Sequence, residues 1–521
     1  MSELPLVIRA LHERLHFRYR GPLRQAHFDT FLIDLADWKL SLTDQTPCLW
    51  VHKPEHQSLA VFDLAEEVRD AVREADWHAE VVLVLVEWQT AELHEALKAA
   101  FSHAGHFTQF AVIDAVQQRA IAEAASPSRV MQDWLLEQIP LSDLSPYETG
   151  RFVTGNRFFG REFDLKQILR QQHDNYLIVG VRRIGKSSLL RELQRRLDLS
   201  DPAGEQPRRV YVDCSVLQSE DDFYKEIISQ LNPRDIKRFE RQSQSQRFKA
   251  QLFQYLAGRQ GGRITYLLDE VDGLLQQLTG DYHVFEAMRH ASAQDGYARF
   301  ILAGFRELDR TLHLIDTPLY HFGIELTLGP FKLDDVRKMV TEPLDQLRIK
   351  LEHREEIVQH IYQETAGHPN LVQFYCKSLL DQLEGTKRRI LSVADLQVVY
   401  DDNDFRRFLM QTFLSNTLPL ERAIVFAMVA TIDAPETTFS LKEIDAELGR
   451  RSLQVELSQL NTACDNLVTA GVLTGPKQKR YRLSIPLLAT MLAETYSLDF
   501  VFGKARRDFL AATALHPESA S

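Results

Sequence analysis

The sequence predicts an α/β protein built from several units, and three patterns carry that prediction. Short apolar runs alternate with amphipathic stretches over residues 58–114 and again over 158–327, as parallel sheets covered by helices require. Strand signal then disappears over residues 332–400, where apolar residues such as Val336, Met339 and Val340 recur at i, i+3 and i+4. A chain of 521 residues is in any case too long for one hydrophobic core.

In the first region residues 58–63 read as strand, 64–76 as helix, 79–87 as strand, 90–103 as helix and 107–114 as strand. This βαβαβ order implies an N-terminal parallel α/β domain. A helix near 129–138 follows, after which Pro140-Leu-Ser-Asp-Leu-Ser-Pro146 and residues 150–156 break the periodicity and mark a boundary. The second α/β region has strands at 176–180, 209–214, 264–269, 299–304 and 324–327. Residues 421–431, 440–449 and 452–471 read as three helices, followed by short strands at 472–474 and 481–485 around Gly475-Pro-Lys-Gln-Lys-Arg480. Three helices and a β-wing predict a C-terminal winged helix. The expected units are 1–139, a linker 140–157, an αβα core 158–330, a helical lid 331–402, the winged helix 403–500 and a tail 501–521 that frays beyond Arg507.

The composition, 44% hydrophobic and 26% charged, is that of an ordinary globular protein. The longest apolar run, Val81 to Val86, is far short of the roughly 20 residues a membrane-spanning helix needs. Met-Ser-Glu-Leu-Pro at the start lacks the pattern of a secretory signal, so the expected location is cytoplasmic, with no membrane partner. Cys48, Cys214, Cys376 and Cys464 lack C-x-x-C spacing and point to neither disulfides nor zinc. Residues 1–150 carry 12 Lys and Arg against 23 Asp and Glu. That acidity repels a phosphate backbone and argues against nucleic acid as this domain's partner.

Gly180-Val-Arg-Arg-Ile-Gly185-Lys186-Ser187 matches G-x-x-x-x-G-K-[ST] between a buried-strand run and a helical stretch. Glycines at Gly180 and Gly185 let the backbone curl so that N–H groups, through Arg182, Arg183 and on to Ser188, face phosphate oxygens. Lys186 is placed to meet the β- and γ-phosphates, and the Ser187 hydroxyl to ligate magnesium. The implied cofactors are ATP or ADP and Mg²⁺. At residues 264–270 an apolar strand ends in Asp269 and Glu270, 83 positions after Lys186. Asp269 is the expected metal residue and Glu270 the general base for an attacking water, which predicts a Mg-dependent ATPase.

Together with Phe158-Phe-Gly-Arg-Glu162, Leu268-Asp-Glu-Val-Asp272 and Gly367-His-Pro369, these motifs resemble the STAND-type NTPases, a regulated branch with a P-loop AAA+-like nucleotide-binding core. The resemblance covers about residues 156–500 and not the first domain. It implies that Phe159, Gly160 and Arg161 lie against the adenine and that Pro369 closes the pocket from the lid. Gly367-His-Pro369 equally fits a helix end with proline opening the next helix. Where relatives place a polar sensor, this chain has Ala303 and Gly304, leaving Arg306 as the nearest candidate beside the γ-phosphate; a solvated arginine fits as well.

The candidate recognition helix 452–467 contains no Lys or Arg, although Arg450, Arg451, Lys477, Lys479, Arg480 and Arg482 flank it. Groove-reading helices use basic and amide side chains, so packing on the core is favoured over DNA binding. Asp34, Asp37 and Lys39 are the one compact set resembling a metal nuclease, and they fit a polar surface turn better. The leading expectation is a regulated ATP-dependent switch in signalling or antiphage defence, with a protein partner or self-association through the first domain or the core. The alternatives are a DNA-loading ATPase of origin-recognition or mobilisation type and a scaffold whose nucleotide is structural.

Overall fold

The computed structural model describes residues 6–12, 17–20, 28–33, 35, 38, 40, 42, 46–52, 61–74, 81–90, 92–102, 108–200, 208–243, 245–278, 281–294, 296–432, 437–477 and 480–515. The nuclease-like set Asp34, Asp37 and Lys39 lies outside them.

The N-terminal sheet comprises β1 (Phe17–Arg20), β2 (Phe28–Ile33), β3 (Thr46–Val51), β4 (Val81–Val86) and β5 (Gln109–Ile113), in that spatial order. Strands β4 and β5 are parallel as expected, and β3, which is not among the expected strands, runs parallel to β4, whereas β1–β2 and β2–β3 are antiparallel. Every residue of Val-Val-Leu-Val-Leu-Val in β4 is buried, the pattern of a strand covered on both faces. Helices α1 (Val61–Glu74), α2 (Leu93–Ser102) and α3 (Pro127–Gln138) accompany the sheet. Leu64, Val68, Ala71 and Val72 recur at helical spacing on α1 and pack with Leu49, Val51, Val82 and Val84. Burying each such Leu or Val contributes about 1.5–3 kcal/mol. The strand expected at 58–63 is corrected: residues 61–63 form the first turn of α1, and 58–60 lie outside the described residues.

The second sheet has β6 (Tyr176–Val179), β7 (Arg209–Asp213), β8 (Ile264–Asp269), β9 (Ala298–Gly304) and β10 (Ile324–Thr327), ordered β10-β6-β9-β8-β7 and parallel throughout. Strand β6 thus lies between the last and the fourth strands of the sheet. The crevice beyond the carboxyl ends of such strands is where doubly wound sheets bind ligands. Helix α4 (Lys186–Ser200) follows β6 and α5 (Arg306–Leu312) follows β9.

Residues 333–385 are mainly helical, with α6 (Leu333–Gln346), a helix at Arg354–Thr365 and α7 (Pro369–Gly385). One correction applies: β11 (Lys350–Leu351) and β12 (Ile390–Leu391) pair in parallel. Two residues per strand are too few to leave a periodic signal.

Beyond them come α8 (Asn403–Asn416), α9 (Pro419–Val429), α10 (Leu441–Arg450), α11 (Leu457–Thr469), and a sheet of β13 (Phe439–Ser440), β14 (Leu473–Lys477) and β15 (Arg480–Leu483) ordered β13-β15-β14. From Leu420 to Val429 all residues but Arg422 are buried, as in a helix enclosed by others. The last helix, α12 (Leu498–Leu515), packs on α9, buries Phe502 and Ala505, and is tied to α10's end by Arg451 and Asp499 at 2.6 Å. The expected fraying after Arg507 is therefore corrected as far as Leu515. Residues 516–521 lie outside the described set.

The chain packs as two compact units. One comprises residues 1–148, 339–354 and 376–398, and the other 149–338, 355–375 and 399–521. In the first, Arg348 binds Asp133 at 3.0 Å, the Tyr147 hydroxyl donates to the Val340 carbonyl at 3.1 Å, and the Ser142 N–H donates to Glu384 at 3.1 Å. All four cysteines are buried. No described helix is long and apolar enough to cross a membrane.

Candidate active site

The second unit gathers its chemistry at the carboxyl ends of β6, β8 and β9. Strand β6 runs buried to Val179, and the chain then turns through Gly180–Gly185 into α4. Gly180 has no room for a side chain, since a Cβ would lie 2.9 Å from Ile184 Cγ2 and 3.1 Å from the Leu328 carbonyl oxygen. Gly185 adopts φ +103°, a conformation open to glycine and strained for other residues. Arg183 is also left-handed, at φ +67°.

Lys186 is buried at the head of α4, and its Nζ donates to the Gly180 carbonyl at 2.9 Å and the Val181 carbonyl at 3.2 Å. The same Nζ lies 3.9 Å from Glu270 Oε1. Asp269, at the end of β8, is buried and accepts from the Tyr211 hydroxyl at 2.7 Å and from the Glu270 N–H at 3.0 Å. Glu270 sits in the left-handed region at φ +49°. Burial raises its carboxyl pKa, with the nearby Asp269 and Asp272 adding and Lys186 opposing. A carboxylate with a raised pKa is a stronger proton acceptor than an ordinary one.

Asp272, two residues further on, accepts at Oδ2 from the Phe305 N–H at 2.6 Å and at Oδ1 from the Glu307 N–H at 2.7 Å. It caps α5, so its lone pairs serve the fold. This geometry also explains Gly304, the departure from a polar sensor: a Cβ there would lie 2.5 Å from Asp272 Oδ2 and 2.8 Å from Leu308 Cβ.

Arg306 forms a two-pronged pair with Glu421 at 2.6 Å for each oxygen and donates to the Asn416 carbonyl at 2.7 Å. Its fork is thus engaged by α8 and α9. These helices also hold the loop itself. The Arg182 N–H donates to Asn416 Oδ1 at 2.9 Å, Arg183 donates to Thr412 Oγ1 at 3.1 Å, and the Arg183 guanidinium lies 4.5 Å from the Phe408 ring centroid. Sequence reasoning missed Asn416, Thr412, Phe408 and Glu421, which belong to no local motif. Ser188, expected beside phosphate, accepts from the Val153 N–H at 3.1 Å.

The lid motif and the Phe159-Gly160-Arg161 stretch meet at Phe331. Gly160 (φ +73°) and Gly367 (φ +68°) both approach it, and a Cβ would lie 2.6 Å from the Phe331 ring in one case and 2.3 Å from its carbonyl oxygen in the other. Arg161 is buried, donates to the Ile184 and Gly329 carbonyls, and stacks over Phe331 at 4.8 Å. Phe159 is half-buried. Pro369 occupies the first position of α7, where its missing N–H costs nothing. His368 before it is buried, burial and the charges of Arg161 and Arg183 push its pKa down to about 4, and neither ring nitrogen has a hydrogen-bond partner.

Among the described residues no three His, Cys, Asp or Glu side chains gather as a metal cage. One hydroxyl and one carboxylate, Ser187 and Asp269, suit magnesium, which keeps waters and takes substrate phosphates as further ligands.

Residues 169–312 match a family described as AAA domain. The class this fold and site define is an AAA-like P-loop core. No curated protein matches the chain. Among solved structures, the ORC2 protein of Aeropyrum pernix in its ADPNP-ADP complexes is 16% identical with a TM-score of 0.51, covering 70% of this chain and 98% of that one. The Walker-type ATPase of Pyrococcus abyssi is 18% identical with a TM-score of 0.49, covering 67% and 99%. The likeness to the Aeropyrum protein is one of fold.

Proposed function

We propose that this chain is a regulated, Mg²⁺-dependent ATP-binding and hydrolysing switch of the STAND type, acting in the cytoplasm in signalling or antiphage defence. The observation that carries the hydrolytic part is the convergence of Lys186, Asp269 and Glu270, with the Lys186 Nζ 3.9 Å from Glu270. Lys186 neutralises β- and γ-phosphate charge, and loop N–H groups orient the phosphates. Glu270 takes the proton of the attacking water, and Asp269, braced by Tyr211, keeps its carboxylate in place. Magnesium, held by Ser187 and Asp269, supplies further charge neutralisation when bound. Phe159, Gly160, Arg161 and Pro369 form the base end of the pocket.

The switch reading is supported by the grip of α8 and α9 on the loop and on Arg306. Helices that hold the phosphate loop can couple its nucleotide state to the rest of the C-terminal region. Partners are then proteins or further copies of the chain.

The DNA-loading alternative needs a basic reading face. Helix α11 has no Lys or Arg, Arg480 pairs with Glu443 at 3.0 Å, and Arg450 pairs with Glu447 at 2.6 Å. Duplex binding across a salt series, with Lys477, Lys479, Arg480 and Arg482 neutralised together, decides between the two. The switch reading expects little change. Submicromolar binding at physiological salt that vanishes with the four neutralisations, reducing the salt slope by about four, would replace it.

A further inference from the structure

The first unit holds a cavity of about 730 Å³, within the range of roughly 300–1,000 Å³ typical of small-molecule sites. It lies at the open edge of the N-terminal sheet. Strand β5 is the edge strand, and part of that edge is already closed: the Gln138 amide donates to the Val112 carbonyl and accepts from the Val112 N–H, both at 2.8 Å. The amide stands in for a neighbouring strand. The start of β5, from Thr108 to Phe110, instead lines the cavity, opposite the end of α7 and the turn after it.

Its lining is divided by chemistry. Phe110, Leu136 and Leu383 are its apolar lining, Lys98, Lys387, Arg388 and Arg389 its cations, and Glu137 and Glu384 its carboxylates. Arg388 is neutralised by Asp395 at 2.7 Å. Arg389 gives its hydrogen bonds to the Leu136 and Leu347 carbonyls rather than to a carboxylate, and partial burial lowers its pKa. Lys387 lies in the turn after α7, in the left-handed region at φ +52°, where Gly or Asn is the usual choice. Glu384 is occupied by the Ser142 N–H. A basic run at a helix C-terminus also complements the helix dipole. That explanation does not reach Lys98, which belongs to α2.

We propose that this cavity binds a small phosphorylated organic molecule, with its phosphate among Lys98, Lys387 and Arg389 and its apolar body against Phe110, Leu136 and Leu383. Three cations on two elements suit a dianionic phosphomonoester, and burial of an attached ring against the apolar lining adds a hydrophobic contribution in proportion to the area covered. The site is separate from the phosphate loop and gives the acidic N-terminal domain a ligand chemistry of its own.

The test is calorimetric titration of the full chain, saturated with Mg-ADP, with 1-naphthyl phosphate, and separately with 1-naphthol and with inorganic phosphate. The aryl phosphate is expected to bind with a Kd below about 1 mM and at least about tenfold more tightly than either fragment. Lys98→Glu with Lys387→Glu, both exposed positions, should weaken it at least tenfold without moving the melting temperature, and Glu137→Gln should tighten it. Equal binding to Lys186→Ala protein keeps the result independent of the nucleotide site. Absence of binding by the aryl phosphate, or binding indifferent to the two charge reversals, overturns the proposal.

Discussion

Asn416 Oδ1 accepts the backbone N–H of Arg182 at 2.9 Å, so a side chain at the end of α8 takes up a donor of the phosphate loop. The loop is held by residues more than 200 positions away in sequence, and its conformation is coupled to theirs.

Asn416→Ala removes that acceptor. A neutral hydrogen bond contributes about 0.5–1.5 kcal/mol, so ADP release should accelerate about two- to tenfold. Stopped-flow release of a fluorescent ADP analogue reads this directly. An unchanged rate would show that the contact does not restrain the nucleotide state.

Arg306→Ala should act mainly on stability. It strands the Glu421 carboxylate, which is 2% exposed, and removing one partner of a buried pair costs about 3–5 kcal/mol. The second change Glu421→Gln should recover part of the loss in melting temperature. A direct catalytic role predicts the opposite: turnover lost, melting unchanged, and no rescue.

Gly304→Ser restores a polar residue at the sensor position. Its Cβ would collide with Asp272 and Leu308, and overpacking of this kind costs about 1–3 kcal/mol. The expected outcome is a lower melting temperature and no gain in turnover. Faster hydrolysis with normal stability would contradict the capping role assigned to Asp272.

With Glu270 as the proposed base, its raised pKa predicts where the acid limb of turnover falls. The group must be ionised to accept a proton, so kcat should be full above its folded pKa and fall as pH drops through it, at a higher pH than for an ordinary carboxylate near 4.3. The linkage has the same sign: the folded state binds this proton more tightly than the unfolded state, so Glu270 favours folding at low pH and opposes it above the folded pKa. A pH profile of kcat whose acid limb lies at or below the ordinary value would exclude Glu270 as the base.

Much of the site was legible because its chemistry is local. The phosphate loop and the Asp269-Glu270 pair each follow a buried strand within a few residues, and a single window contains the strand and the residues that use it. The grip of Asn416, Thr412, Phe408 and Glu421 was not legible, since each is an ordinary residue of an amphipathic helix and only packing brings it to the loop. Arg306 was noticed for its place after β9, but its partner on α9 lies 115 positions away. In the first sheet the parallel strands show as apolar runs. Phe28–Ile33 pairs antiparallel on both sides and lacks the clean alternation that would have revealed it. The last helix was read in part as a fraying tail because the chain ends in His-Pro-Glu-Ser-Ala-Ser, and the burial of Phe502 and Ala505 comes from tertiary packing that no local pattern shows.

The central claim is that Lys186 and Glu270 divide binding and chemistry at one site. The measurement that tests it most directly is Mg-ATP affinity and steady turnover of wild type, Lys186→Ala and Glu270→Gln, side by side. The account predicts that Lys186→Ala loses both nucleotide affinity and hydrolysis, while Glu270→Gln retains Mg-ATP and loses turnover by about two orders of magnitude or more. Turnover near wild type in either variant, or ATP affinity unchanged in Lys186→Ala, would contradict it.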